Sequence, residues 1–263
     1  VPQIIVVEDW WRRHFEQRAR WATDEADASA WSIAGLTARL ALFARLSSAL
    51  IASPASAVLD LGCGAGTYAG WLGDQGHHVT AMDYAFEMVC RARVAHDRAR
   101  FVVADGYHAP FRSDTFDAVL CIGVLQFCAE PEALIAEAAR LTRPGGIVLV
   151  ESLNPFYFAV PAIKVAERVR YRRTLPLQRH APRVVERALR AAGIAVSARV
   201  PLYVVAAPDR WTTAVVGAIT RCLRRIPGLR GLAASALWWY GAKQAAADRA
   251  RSAALVRDAG CAS

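Results

Sequence analysis

The stretch Val58-Leu-Asp-Leu-Gly-Cys-Gly-Ala-Gly-Thr67 constrains this chain more than any other. An apolar run carrying one carboxylate, Asp60, meets three glycines at alternate positions, and a helix-forming segment follows. Glycine reaches the positive-φ backbone that a sharp strand-to-helix turn requires, and it removes Cβ atoms that would hold a ligand off the main chain. The first turn of the following helix leaves N–H groups without intrahelical partners, free to face whatever occupies the turn. Gly62, Gly64 and Gly66 spell GxGxG. The dinucleotide fingerprint GxGxxG needs its third glycine at position 67, where threonine stands, so the usual pyrophosphate cradle is not offered.

Around this turn, short apolar runs alternate with helical stretches. AVLDLG reads as a buried strand and 67–75 as a helix; HVTAMD is a second strand, 85–97 a second helix and ARFVVAD a third strand. FDAVLCIG is a fourth strand, PEALIAEAARL a helix and GGIVLVES a fifth strand. Such alternation implies parallel βαβ units with right-handed crossovers. The strands are continuous apolar runs, as expected when helices cover both faces of a sheet. Upstream, residues 1–53 read as helical, with Ile33, Leu36, Leu40, Phe43 and Leu50 at helical spacing and Ser53-Pro54 as the stop. Downstream, Asn154-Pro155 opens a helical stretch over 155–175, and PRVVERALRAAG has a proline start and a glycine stop. IAVSARV and LYVVAA are the candidate sixth and seventh strands, before a helical region over about 211–257 that breaks at Pro227-Gly228. The expected fold class is α/β: a Rossmann-like, seven-stranded, mostly parallel sheet with helices on both faces and helical additions at each end.

Two further carboxylates end consecutive strands. Asp83 closes the second strand, where it can accept both hydroxyls of a ribose or serve as a turn or helix cap. Asp105 closes the third, followed by Gly106; a carboxylate beside free backbone N–H groups can read adenine, or be a plain loop acid. Open α/β sheets bind ligands at the carboxyl ends of their strands, so the glycine turn and the two acids fall together.

VLDLGCGAGTYA, AMDYAFEMVCRAR, FVVADGYHAPF, FDAVLCIGVLQF and RLTRPGGIVLVES resemble the successive motifs of class I S-adenosylmethionine-dependent methyltransferases. They look most like the ubiquinone/menaquinone-biosynthesis group (methyltransferase type 11), over about 58–151. The resemblance implies S-adenosylmethionine as cofactor and S-adenosylhomocysteine as product. It implies that Asp60 and the turn Gly62, Cys63, Gly64 and Gly66 hold the methionine end. Asp83 would bind the ribose, with Tyr84 and Met88 beside it; Asp105, Gly106 and Tyr107 would meet the adenine; Cys121 and Ile122 would line the sulfonium side. The chain departs from the pattern at Tyr107-His108, where relatives carry Glu or a small polar residue, and at Gln126, where many carry His. The resulting division is an N-terminal helical lid and substrate segment (1–53), a cofactor-binding domain (54–208) with a substrate-side insert (154–180), and a C-terminal helical extension (209–263).

Methyl transfer from a sulfonium is an in-line displacement with a good leaving group, so alignment and water exclusion matter more than an acid–base triad. A base is needed only for a hydroxyl or acidic-carbon acceptor. His180, Tyr157 and His108 are the candidates, beside His14 and Glu151; His77 and His78 read as loop. No Cys/His spacing suits a metal, and none is expected. Trp10, Trp11, Phe15 and Trp31 either close over the site and face an apolar acceptor or pack the N-terminal helix onto the sheet. Arg39 pairs with the cofactor carboxylate or faces solvent.

Charge and cysteines bound the partners. The net charge is +9, with dense runs at Arg168–Arg173 and Arg221–Arg230 that suit a solvated face as well as a binding patch. No N/D-P-P-Y/F motif and no Pro-Cys nucleophile is present, so the expected partner is a small-molecule acceptor and not nucleic acid. The Trp238-Trp239-Tyr240 cluster and the basic C-terminal helices suggest a membrane surface or a partner subunit, with core packing as the plain alternative. Six cysteines without a CxxC pair imply reduced thiols and a cytoplasmic protein. Glu8 and Asp9 interrupt the apolar VPQIIVV, and no uninterrupted run of 18 apolar residues argues for a spanning helix. The expected activity is methylation of an O, N or C atom of a small hydrophobic or aromatic metabolite. The alternatives are a non-catalytic partner or regulatory subunit of the same fold and, more remotely, a nicotinamide-dependent oxidoreductase.

Overall fold

The computed structural model describes residues 7–171, 175–204 and 210–245 of the chain. Seven strands form one sheet: β1 (Ala57–Leu61), β2 (His78–Asp83), β3 (Ala99–Val103), β4 (Phe116–Cys121), β5 (Thr142–Leu153), β6 (Ile194–Leu202) and β7 (Ala236–Lys243). Their order is β3-β2-β1-β4-β5-β7-β6. The first five run parallel, and β7 is antiparallel to both of its neighbours. Strand order reverses between β1 and β4, which opens a crevice at their carboxyl ends.

Successive side chains on a strand point to opposite faces, and here both faces are covered. On one, Leu59, Leu61, Val119, Val148 and Trp239 pack with Leu134 and Ile135 of α6 (Pro131–Leu141) and Val185 and Leu189 of α8 (Pro182–Ala191). On the other, Val58, Leu120, Leu149 and Trp238 meet Ala69 and Leu72 of α4 (Thr67–Asp74) and Leu42 and Phe43 of α3 (Ile33–Leu50). Burial of side chains this size contributes about 1.5–3 kcal/mol each.

Trp238 and Trp239 are both fully buried, on opposite faces of β7. The expectation of a wholly helical C-terminal extension over 209–263 is therefore corrected. Among the described residues of this segment only α9 (Arg210–Arg225) and the short α10 (Arg230–Ala233) are helical, and the seventh strand is 236–243, which also moves the sheet's boundary past 208. β6 takes IAVSARVPL, while Tyr203 and Val204 leave the sheet and the rest of LYVVAA lies outside the described residues, as does the region beyond 245. A strand buried on both faces shows no alternation, so its apolar run reads as helix equally well.

The N-terminal helices are α1 (Val7–Trp21), α2 (Glu25–Ala28) and α3. The buried face of α3 is Gly35, Arg39, Leu42, Phe43 and Ser47, whereas Ile33 is exposed; the expected stripe is rotated accordingly. By length and mean hydropathy (1.3), α3 would pass as a membrane span, contrary to the run-length argument, but here its buried face packs on the sheet. α1 lies along α5 (Phe86–Ala95). α5 begins at Ala85 with no side-chain cap of its own; instead Glu16 of α1 accepts from Phe86 N (2.8 Å) and Glu87 N (3.0 Å). A carboxylate there satisfies orphan N–H groups and complements the helix dipole. The insert contains α7 (Val160–Tyr171).

Candidate active site

A cavity of about 600 Å³ lies over the carboxyl ends of β1, β2, β3 and β4. That falls within the roughly 300–1,000 Å³ of small-molecule sites. The glycine turn forms part of its wall. Gly62 has φ +79°, and a Cβ there would come 2.4 Å from Val124 Cγ2. Gly64 has φ +53° and faces Met88 across a gap that a Cβ would fill to 3.4 Å. Gly62 N and Cys63 N donate to Met82 O at 2.8 and 2.9 Å, stitching the turn to the end of β2. Gly66 does not line the cavity; a Cβ there would meet His96 and Ala92, so it serves the packing of α4 on α5.

Asp83 lines the cavity and also does the structural work of a cap. Its Oδ2 accepts from Gly64 N and its Oδ1 from Ala85 N, each at 2.9 Å. Burial raises its pKa, and the N–H groups of Ala85, Gly64 and Tyr84 oppose that rise. Tyr84, Met88, Asp105, Gly106, Tyr107, Cys63 and Ile122 also line the cavity. Asp105 Oδ1 accepts from Tyr107 N at 2.9 Å. Burial pushes the Cys63 thiol well up, so it stands there as a neutral thiol.

Besides Gly66, two further expected positions are corrected. Cys121 is fully buried in the core on the α6 face and does not reach the cavity. Asp60 is 1% exposed beneath the turn, outside the lining, and its Oδ2 has no hydrogen-bond partner. Burial, then the charge of Asp83, raises its pKa to about 7.

The N-terminal segment packs and lines at once. Trp11 and Phe15 are buried with Met88 in a core of their own, with Phe127 packed against it, while Phe15, Trp31 and Leu36 present surface to the cavity. Glu8 Oε1 accepts from Tyr107 Oη (3.2 Å) and Ala129 N (2.9 Å), tying the start of α1 across the mouth. Glu8, Arg12, Ser29, Gly123, Val124, Phe127 and Leu134 are lining residues that sequence reasoning missed. Only Gly123, a glycine directly after Ile122 at the end of β4, left a readable signal.

None of the expected catalytic side chains lines the cavity. His180 Nε2 lies 3.0 Å from Leu125 O, and Tyr157 Oη donates to Val204 O at 3.3 Å. His108 sits in the loop after Asp105, and His14 stacks on Trp10. Glu151 is fully buried in β5 and paired with Arg39, which therefore faces neither solvent nor the cavity. Among the described residues no group of three His, Cys, Asp or Glu side chains is arranged to hold a metal.

Comparison with known proteins follows the same boundaries. Residues 59–150 match the family described as "Methyltransferase domain". A demethylmenaquinone methyltransferase from Clavibacter sepedonicus is 41% identical over 102 residues, 37% of this chain and 42% of that protein. A ubiquinone biosynthesis O-methyltransferase from Xanthomonas campestris is 36% identical over 125 residues, 44% of this chain and 52% of that protein. The alignments thus span about half or less of the curated relatives' length. In fold, the chain is similar to a magnesium protoporphyrin IX methyltransferase from Synechocystis solved with bound S-adenosylhomocysteine. The TM-score is 0.62 and identity 14%, covering 91% of this chain and all of that one.

Proposed function

With residues 59–150 forming a methyltransferase domain of the class I S-adenosylmethionine-dependent kind, we propose that the chain methylates a small acceptor with an apolar or aromatic body. One observation carries the reading: Asp83, Asp105 and the Gly62–Gly64 turn open on a single cavity. When bound, S-adenosylmethionine supplies a methyl group on a sulfonium, with a neutral thioether as leaving group. The Asp83 oxygens keep lone pairs for ribose hydroxyls after accepting their two backbone bonds. Asp105 accepts from an adenine amino group. The close approach of a ligand to the backbone at Gly64 needs the missing Cβ. Phe15, Trp31, Leu36 and Phe127 exclude water and give the acceptor an apolar surround, which supports a hydrophobic or aromatic body. The free thiols among the described cysteines support a reducing compartment, the cytoplasm.

Calorimetric titration tests this directly. Micromolar binding of S-adenosylhomocysteine with no binding of NADH is expected; the reverse order would restore the oxidoreductase. Tight binding without turnover on any acceptor would favour the non-catalytic partner instead.

We also propose that the face of α9 and α10 contacts an anionic membrane surface. Val215, Ile219, Ile226, Leu229 and Leu232 are exposed there among Arg221, Arg224, Arg225 and Arg230, and α9 carries no acidic residue. An apolar face rimmed with arginine suits an interfacial helix. Cosedimentation with phosphatidylglycerol vesicles but not phosphatidylcholine vesicles, lost in Arg221→Glu/Arg225→Glu, is the expected result. Equal binding to both, or to neither, overturns it.

A further inference from the structure

Behind the apolar end of the cavity, buried polar atoms lack partners. Gln126 is 1% exposed, and neither its Oε1 nor its Nε2 has a hydrogen bond. Glu151 is fully buried; its Oε1 accepts from Arg39 Nε at 2.9 Å, but its Oε2 has no partner. Tyr68, which lines the cavity, has an unpartnered hydroxyl and feels the charges of Glu151 and Arg39. Gln126, on the 3-10 turn Leu125–Phe127, and Glu151, on β5, meet beside one residue, Gly123, while Tyr68 of α4 lines the same cavity. Gly123 lines the cavity, and a Cβ on it would stand 3.8 Å from both Gln126 Nε2 and Glu151 Oε2 and 3.3 Å from the Trp31 ring. Because Gly123 has no Cβ, it puts no side chain between the cavity it lines and these buried atoms. Trp31 stands beside Gly123 with its ring under the Arg39 guanidinium, 3.5 Å from centroid to Cζ.

Buried polar groups are almost always paired, and several orphans at one point call for a common partner. We propose that Gln126, Glu151 and Tyr68 form the acceptor-binding pole of the site and that they take an uncharged hydroxyl, as of an alcohol or phenol. The inference rests on the methyl-transfer reading of the cavity and narrows it to an oxygen acceptor. The donor set selects the group. Glu151 Oε2 can only accept, and the Gln126 amide and the Tyr68 hydroxyl both donate and accept. A hydroxyl donates to the carboxylate and accepts from the amide at once. A carbonyl has nothing to donate to Glu151, a carboxylate is repelled by it, and an ammonium leaves the amide N–H unpaired and faces Arg39. Arg39 is a positioning residue: its bond to Oε1 fixes which oxygen of Glu151 is left for the acceptor.

The test uses the full chain and two probes of one shape, 4-butylphenol and 4-butylanisole, the second having its oxygen capped by a methyl group. Each is titrated calorimetrically with and without saturating S-adenosylhomocysteine. The phenol is expected to bind at least tenfold more tightly than the anisole. Gln126→Leu, which leaves the Arg39–Glu151 pair intact, is expected to shrink that ratio below about threefold while S-adenosylhomocysteine binding stays unchanged. Glu151→Gln, checked for folding by circular dichroism, is expected to do the same. Equal binding of phenol and anisole, binding of neither, or a ratio untouched in Gln126→Leu overturns the proposal. Failure of S-adenosylhomocysteine to bind overturns the methyl-transfer reading instead, and the probe pair without it still decides the cluster.

Discussion

Arg39 Nε lies 2.9 Å from Glu151 Oε1, with the two side chains 3% and 0% exposed. The pair joins α3 to the middle of the sheet across 112 residues of sequence. Removing one partner leaves an uncompensated buried charge, which costs about 3–5 kcal/mol. Arg39→Met is therefore expected to lower the urea midpoint sharply. The double variant Arg39→Met/Glu151→Leu should recover most of that loss, because paired apolar replacements of buried ion pairs are often near neutral. Additive losses in the double-mutant cycle would show that the pair is not coupled.

Asp83→Ala and Gly64→Val should each weaken S-adenosylhomocysteine binding, for different reasons. Loss of the Asp83 carboxylate removes charged hydrogen bonds, about 1.5–3 kcal/mol each, or ten- to more than a hundredfold in affinity. Valine at 64 puts a branched side chain into the gap before Met88 on a backbone with φ +53°. Wild-type affinity in both variants, read by calorimetry, would mean the ligand sits elsewhere.

Asp60 sets a pH dependence. Its folded pKa is raised from 3.8 to about 7, so the folded state keeps a proton that the unfolded chain releases. The unfolded state binds fewer protons over that interval, and stability falls as pH rises from about 4 through 7. Asp60→Asn keeps a neutral side chain at every pH. At pH 8 it should be more stable than wild type, by on the order of 1–2 kcal/mol, and the difference should shrink towards pH 4. A difference independent of pH in denaturant titrations would rule out the protonated carboxyl.

Glu8 holds the start of α1 over the cavity through Tyr107 Oη and Ala129 N. Glu8→Ala removes two hydrogen bonds worth about 1 kcal/mol each. The dissociation rate of S-adenosylhomocysteine, measured by stopped flow, should rise about five- to thirtyfold. The melting temperature of the unliganded protein should fall by no more than a few degrees, since the start of α1 can open locally without unfolding the sheet. An unchanged rate would mean that α1 is not part of the closure.

Gly62→Ala tests the turn itself. The added methyl would sit 2.4 Å from Val124 Cγ2 at φ +79°, so both sterics and backbone oppose it. A loss of about 1–3 kcal/mol is expected in chemical denaturation. A variant as stable as wild type would show that the turn and the loop after β4 separate readily.

The sequence by itself determined the sheet's first six strands and the cavity-lining residues Gly62, Gly64, Asp83 and Asp105. Those depend on local chemistry: a positive-φ turn needs glycine, a strand between helices is an apolar run, and a carboxylate ends a strand where a ligand docks. The tertiary structure alone decided the rest. Trp238 and Trp239 became a strand because β5 and β6 leave room between them for one more, which no window of sequence records. Cys121 turned to the core because the parity of β4 is set by its neighbours. Gln126 and Glu151 meet beside Gly123, and Arg39 of α3 reaches Glu151, only when α3, β5 and the loop after β4 pack together. Local propensity fixes elements; long-range packing fixes which side chains share a buried space, and the acceptor end of this site is of the second kind.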